Sequence, residues 1–173
     1  MHKKNILITG PPRCGKSTVI EGMIKGMPRP VTGFFTAEIK EQGKRVGFSL
    51  TTVDGREGIL AHQSLEGTLR VGKYVINPKD MEEIAVPSMI PSSEKEIIVI
   101  DEIGKIECLS SLFREALMRA LGAPNRVIGS IAEKGDRFME AIKTRNDVTV
   151  IRVTPENRGL LANKLLNFIK KNS

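Results

Sequence analysis

The 173-residue sequence contains two cysteines, Cys14 and Cys108, which lie far apart and form no Cys-x-x-Cys pair. This spacing argues against a disulfide framework and against a structural zinc site. The sequence also lacks the roughly 20 consecutive apolar residues of a membrane-spanning helix and the roughly 7 to 15 of a secretory signal. We therefore expect a cytoplasmic protein with reduced thiols and no membrane anchor.

Aromatic residues are scarce as well, at 4% of the chain, with no tryptophan and one tyrosine. Proteins that bind single-stranded nucleic acid stack bases on aromatic side chains, and few are available here. The net charge of +7 and the pI near 9.6 favour anionic ligands in general but do not separate nucleotides from nucleic acids. Nucleic acid is therefore an alternative ligand that the composition does not favour.

The length suits one domain, spanning residues 1–173. Short apolar runs that predict strands alternate with helical stripes, an order typical of an α/β fold whose mostly parallel sheet is covered by helices on both faces. The segment 33–76 differs, because apolar and polar residues alternate on both sides of the turn sequence EQGK. We predict an antiparallel β-hairpin region there. The predicted strands elsewhere are 6–9, 97–104, 127–131 and 148–153, and the predicted helices are 16–27, 78–89, 109–121, 136–143 and 155–169, the last with Thr154 as its N-cap.

The stretch GPPRCGKST at 10–18 follows a predicted strand and precedes a predicted helix. It fits the pattern G-x-x-x-x-G-K-[ST] of a phosphate-binding loop, in which successive backbone N–H groups surround a phosphate. Lys16 would reach the β- and γ-phosphates, and the Ser17 hydroxyl would bind Mg²⁺. The residues predicted to bind nucleotide in this loop are Gly10, Pro11, Pro12, Arg13, Cys14, Gly15, Lys16, Ser17 and Thr18.

Two acids, Asp101 and Glu102, end the apolar run IIVIDE. Parallel strands end at the same edge of the sheet, so Asp101 is placed to share the metal ion with Ser17. Glu102 follows it and is a candidate base for an attacking water. A helix cap or a salt bridge is the structural alternative for Glu102.

Four stretches, TGPPRCGKST, GFFTAEIKEQGKRVGFSL, VIDEIGKIE and ENR, together resemble the small standalone P-loop nucleoside-triphosphatases of thermophilic prokaryotes and their animal relatives. The resemblance spans nearly the whole chain, with Ile106 where the family often has Met. It implies a RecA-like P-loop core with an added hairpin region. It also implies Mg²⁺-dependent removal of the γ-phosphate from ATP, GTP, CTP and UTP, with the segment 101–105 facing the nucleotide.

Several further residues are candidates with a structural alternative. A cation that neutralises charge on the transferred phosphoryl group would speed hydrolysis, and Lys105 is the preferred catalytic candidate among four. Ser130 would sense the γ-phosphate if its strand lies between the P-loop strand and the Asp101 strand, and otherwise is a buried serine bonded to backbone. Asn157 and Arg158 would touch the base or ribose, with ordinary helix capping at Thr154 as the alternative. Glu38 and Arg45 flank the hairpin turn as a cross-strand ion pair or a lid. The four cation candidates are Lys105, Arg137, Arg145 and Arg158.

Two other activities remain open at this stage. A small kinase would use the same loop to pass phosphate to an acceptor, although the sequence has no evident arginine-rich lid for a second substrate. A nucleic-acid-dependent ATPase would account for the net charge. The sequence leaves the oligomeric state open, with a monomer favoured, and nucleoside triphosphates are the expected partners.

Overall fold

The computed structural model describes residues 3–171, and one sheet organises this part of the chain. The strands are β1 (Asn5–Thr9), β2 (Val31–Glu41), β3 (Lys44–Thr52), β4 (Glu57–His62), β5 (Arg70–Val71), β6 (Tyr74–Ile76), β7 (Ile97–Ile103), β8 (Arg126–Ile131) and β9 (Val148–Arg152). The α-helices are α1 (Lys16–Lys25), α2 (Pro78–Asp80), α3 (Val86–Ser88), α4 (Ser111–Gly122), α5 (Arg137–Lys143) and α6 (Arg158–Lys171).

The strand order across the sheet is β5-β6-β4-β3-β2-β7-β8-β1-β9. The five strands from β2 to β9 in this order are parallel to one another, and the other four extend the sheet from β2 with antiparallel pairs. Strand β8 therefore lies between β1, which leads into the loop at 10–18, and β7, which carries the two acids. The predicted α/β architecture is confirmed, and the hairpin region is part of the same sheet.

Helices cover both faces of the parallel strands. On one face α1 packs against α6, and Ile20, Met23 and Leu161 join the apolar side chains of β1. On the other face α4 packs through Phe113, whose ring meets the ring of Phe34 from β2 edge to face at 6.1 Å. Both faces of strand β7 are buried, as is usual for a strand in a parallel sheet covered by helices, and its side chains are therefore mostly apolar on both sides.

The predicted hairpin is formed by β2 and β3, with Gln42 and Gly43 as a two-residue turn. Both turn residues have positive φ angles, 48° and 76°, as in the tight turns that match strand twist. At the other end of β2, a Cβ on Gly33 would lie 1.9 Å from the Val99 carbonyl oxygen. Only glycine therefore lets β2 pair closely with β7.

The elements differ from the sequence prediction in three places. The helix predicted over 78–89 contains a π-helical turn, Met81–Ala85, between α2 and α3. Helix α6 begins at Arg158 instead of Pro155, because residues 155–157 form a separate turn. Strands β4 and β5 were not predicted, since β4 buries only Leu60 and Ala61 and β5 has two residues. Within residues 3–171 no helix has the length and apolar character needed to span a membrane.

Candidate nucleotide-hydrolysis site

The loop at 10–18 has the backbone shape of a phosphate cradle. Gly10 and Gly15 have φ angles of 152° and 104°, and Arg13 also has a positive φ, of 63°. A Cβ on Gly10 would lie 2.9 Å from the Cys14 sulfur and 3.0 Å from the Val153 carbonyl oxygen, so only glycine fits there. The amides that begin α1 have no partner within the helix and are free to bind an anion.

Lys16 is the half-buried cation of the loop, with a side chain 10% exposed. Its Nζ donates to the carbonyl oxygens of Gly10, at 3.1 Å, and Pro11, at 3.3 Å. It also lies 3.9 Å from Oε2 of Glu102. These contacts hold the ammonium group over the loop, where phosphate oxygens would replace the two carbonyls.

Asp101 is 1% exposed near the end of β7, where the pairing with β8 is irregular. Its Oδ1 accepts a hydrogen bond from the buried Ser130 hydroxyl, whereas Oδ2 has no hydrogen-bond partner. Burial raises the pKa of Asp101, and Ser130, Ser17 and the Lys16 charge oppose that rise. Ser17 of the loop interacts with the same carboxylate.

Glu102 lies at the mouth of the same site with 33% of its side chain exposed. Burial raises its pKa, the nearby Lys16 ammonium lowers it, and the negative charge of Asp101 raises it further. A carboxylate that is partly open to solvent and close to the phosphate-binding lysine can contact a water molecule next to a bound phosphate.

The residues present fit a magnesium ion. Mg²⁺ prefers oxygen ligands and is commonly held by one or two protein groups together with substrate phosphates. Asp101 Oδ2 and the Ser17 hydroxyl supply such oxygens, and the unpartnered state of Oδ2 leaves it available. Between residues 3 and 171 no cluster of three or more His, Cys, Asp or Glu side chains is placed to hold a metal ion.

The four cation candidates do not all lie at the same edge of the sheet. Lys105, Arg137 and Arg158 follow β7, β8 and β9, so they lie at the edge that carries the loop. The aliphatic chain of Arg158 lies over the loop, 3.7 Å from where a Gly15 Cβ would be. Lys105 is exposed and forms no ion pair within the described residues.

The suggestion of Arg145 as a catalytic cation is wrong. This residue follows α5 and precedes β9, so it lies at the opposite edge of the sheet from the loop. Its guanidinium forms two hydrogen bonds with Asp147, at 2.8 and 2.7 Å. The backbone carbonyl of Asp147 in turn accepts from Asn5 at the start of β1, which confirms the location.

Two polar candidates have mainly structural contacts. Ser130 is 0% exposed and its hydroxyl donates to Asp101, so it supports the carboxylate and is not bonded to backbone as the structural alternative expected. Its strand β8 does lie between β1 and β7, so contact with a γ-phosphate stays a prediction. The Asn157 amide accepts from the Thr154 N–H and donates to the Arg152 carbonyl. It therefore stabilises the turn before α6, while Thr154 accepts from the Asn157 N–H as a cap.

Two features of the site were not found in the sequence. Glu38 of β2 pairs with Arg45 across the hairpin at 2.8 Å, as predicted, but it also pairs with Arg13 of the loop at 3.2 Å. The hairpin is thus linked directly to the phosphate loop. The second feature is Glu107, a buried carboxyl next to Glu102. The spacing of residues in the sequence indicates neither contact, because each one joins segments that only the folded chain brings together.

The parallel sheet, the loop between β1 and α1, and the acid pair on β7 define a P-loop protein that binds the phosphates of a nucleotide. The family model described as NTPase matches residues 5–166. The chain is 45% identical over 168 residues to nucleoside-triphosphatase THEP1 of Thermotoga sp. (strain RQ2), covering 96% of each chain. It is 35% identical over 184 residues to the cancer-related nucleoside-triphosphatase of Homo sapiens, covering 96% of this chain and 97% of the human one.

A solved structure agrees with this relationship. The crystal structure of THEP1 from Aquifex aeolicus has a TM-score of 0.85 and 29% identity, and the match covers 95% of this chain and 98% of that chain. The chain belongs to the NTPase family. The resemblance inferred from the sequence and the α/β P-loop fold are both confirmed.

Proposed function

We propose that this protein is a Mg²⁺-dependent nucleoside-triphosphatase that removes the γ-phosphate from ATP, GTP, CTP and UTP with low base selectivity. Membership of the NTPase family supports the reaction class. The observation that carries the assignment is the position of Glu102, whose Oε2 lies 3.9 Å from Lys16 Nζ and beside the buried Asp101. A base, a phosphate-binding cation and a metal-binding carboxylate therefore meet at the mouth of one loop.

Each residue of the site has its own role in the proposed reaction. The loop amides and Lys16 bind the β- and γ-phosphates, and Asp101 and Ser17 hold the metal ion. Bound Mg²⁺ supplies charge neutralisation on the phosphate oxygens. Glu102 accepts a proton from water, whose oxygen bonds to the γ-phosphorus as the bond to the β–γ bridging oxygen breaks. The nucleoside diphosphate and inorganic phosphate then leave.

The same contacts support low base selectivity. Asn157 is a candidate for contact with a base, but its amide oxygen and nitrogen both bind the backbone next to β9. Arg158 lies over Gly15 and offers a cation and a flat guanidinium, which do not distinguish one base strongly from another. The contacts at the loop are directed to phosphates, which all four substrates share.

The test is phosphate release from ATP, GTP, CTP and UTP without any acceptor, with Mg²⁺ or with a chelator in excess. We expect release from all four, lost with the chelator and in Lys16→Ala. Binding of nucleotide without release would contradict hydrolysis and would favour a kinase. A strong stimulation by single-stranded RNA or DNA, lost with added salt, would instead favour a nucleic-acid-dependent ATPase.

A further inference from the structure

Glu107 is a carboxyl that the proposed reaction does not use, although it lies beside the proposed base. It begins the 3₁₀ turn Glu107–Leu109 after β7 and is 6% exposed. A Cβ on Gly104 would lie 2.7 Å from Glu107 Oε2 and 3.3 Å from Glu102 Oε1. The two carboxyl groups thus both lie beside Gly104, where a Cβ would contact each of them.

The surroundings of Glu107 favour its neutral form. Burial, together with the charges of Glu102 and Asp101, raises its pKa to about 8, and the backbone N–H groups of Glu107 and Gly104 limit that rise. A neutral carboxyl carries an O–H donor, whereas an ionised one only accepts. Near neutral pH the group next to the Glu102 carboxylate is therefore a hydrogen-bond donor.

We propose that Glu107 is a positioning residue for hydrolysis, whose protonated carboxyl donates a hydrogen bond to Oε1 of Glu102. This inference rests on the proposed function, in which Glu102 activates water. With Oε1 held from behind, Oε2 faces Lys16 and the phosphates and is the oxygen that accepts the proton of water. The neutral state of Glu107 also keeps a further negative charge away from the triphosphate.

The other titratable and charged groups near Glu107 do not change this assignment. The Cys108 thiol beside it has its pKa raised to about 12, mainly by burial, so it stays neutral over the useful pH range. Arg114 of α4 donates to the Cys108 carbonyl and pairs with Asp136 before α5. The groups that face Glu107 or its neighbour are Asp101, Glu102, Cys108, Arg114 and Asp136.

The experiment compares kcat and KM of wild type, Glu107→Gln and Glu107→Met with saturating Mg²⁺ and nucleotide from about pH 6.5 to about pH 9.5. Gln keeps a neutral donor at every pH, whereas Met keeps the size and removes the donor. We expect the wild-type kcat to fall in the alkaline range and the Gln variant to lack that fall. At neutral pH the Gln variant should stay within about 3-fold of wild type and the Met variant should lose about 10-fold or more in kcat at unchanged KM.

The same alkaline profile in wild type and Glu107→Gln would overturn the proposal, as would full kcat in Glu107→Met. If the Met variant does not fold, Gly104→Ala serves instead, because a methyl group would separate the two carboxyls without a change of charge. A wild-type kcat in folded Gly104→Ala would contradict the inference. Full kcat in Glu102→Gln would show that Glu102 is not the base, and a wild type that binds nucleotide without releasing phosphate would show that the proposed function is wrong. Both outcomes are separate from those of the Glu107 variants.

Discussion

Ser130→Ala tests the support of the metal-side carboxylate. Ser130 and Asp101 are 0% and 1% exposed, and the serine hydroxyl is the hydrogen-bond donor to Oδ1. The substitution would remove the donor to Oδ1, and since Oδ2 has no hydrogen-bond partner the buried carboxylate would keep only its interaction with Ser17. A hydrogen bond to a charged group contributes about 1.5–3 kcal/mol, and its loss costs a similar amount of unfolding free energy.

For a chain of 173 residues, about 1 kcal/mol corresponds to about 2–4 °C in Tm. We therefore expect Ser130→Ala to lower the Tm by about 3–12 °C in thermal unfolding followed by circular dichroism. Ser49→Ala is the matched control, because that serine lies on a strand and makes only a long 3.5 Å contact with a carbonyl. In an Asp101→Ala background the effect of Ser130→Ala should shrink, since the two residues act as one pair. A Tm equal to that of wild type within about 1 °C would refute the reasoning.

Three further predictions concern the loop and the core. Gly10→Ala should weaken nucleotide binding by about 10-fold in a titration, because the backbone strain at this position costs about 1–3 kcal/mol. Gly122→Ala is the control and should bind as wild type, since the space around Gly122 is open. Equal affinities of the two variants would contradict the loop geometry. Arg13→Ala should raise the Kd for ATP by about 3-fold or more at low salt, and Arg56→Ala, which removes an exposed pair far from the loop, should not. Phe113→Ala should cost about 3–5 kcal/mol in urea unfolding, and a loss below about 1 kcal/mol would place its ring outside the core.

The sequence predicted the parts of the fold that depend on local patterns. The run IIVIDE gave β7, and alternation around Gln42 and Gly43 gave the hairpin, because each element buries its own residues in a regular period. The start of α6 was misplaced since Pro155 suits a first helical turn and an isolated turn equally. Strand β4 was missed because most of its side chains are exposed or half-buried.

The site was predictable where the chain brings its groups together through one loop or one strand. Lys16, Ser17, Asp101 and Glu102 follow from motif and strand-end rules. Arg145 was misjudged although the predicted helix 136–143 and the predicted strand 148–153 already place it in a helix-to-strand connection, at the edge of the sheet away from the loop. The contacts of Glu107 depend on how the turn after β7 folds, and no periodic pattern in the sequence predicts them.

The central claim is that Glu102 activates the water that attacks a bound triphosphate. The most direct measurement is phosphate release by Glu102→Gln under single-turnover conditions, with nucleotide affinity measured in parallel by titration. The account predicts nucleotide affinity close to wild type and a loss of release rate of about 100-fold or more. A release rate near that of wild type, in a variant that binds nucleotide normally, would contradict it.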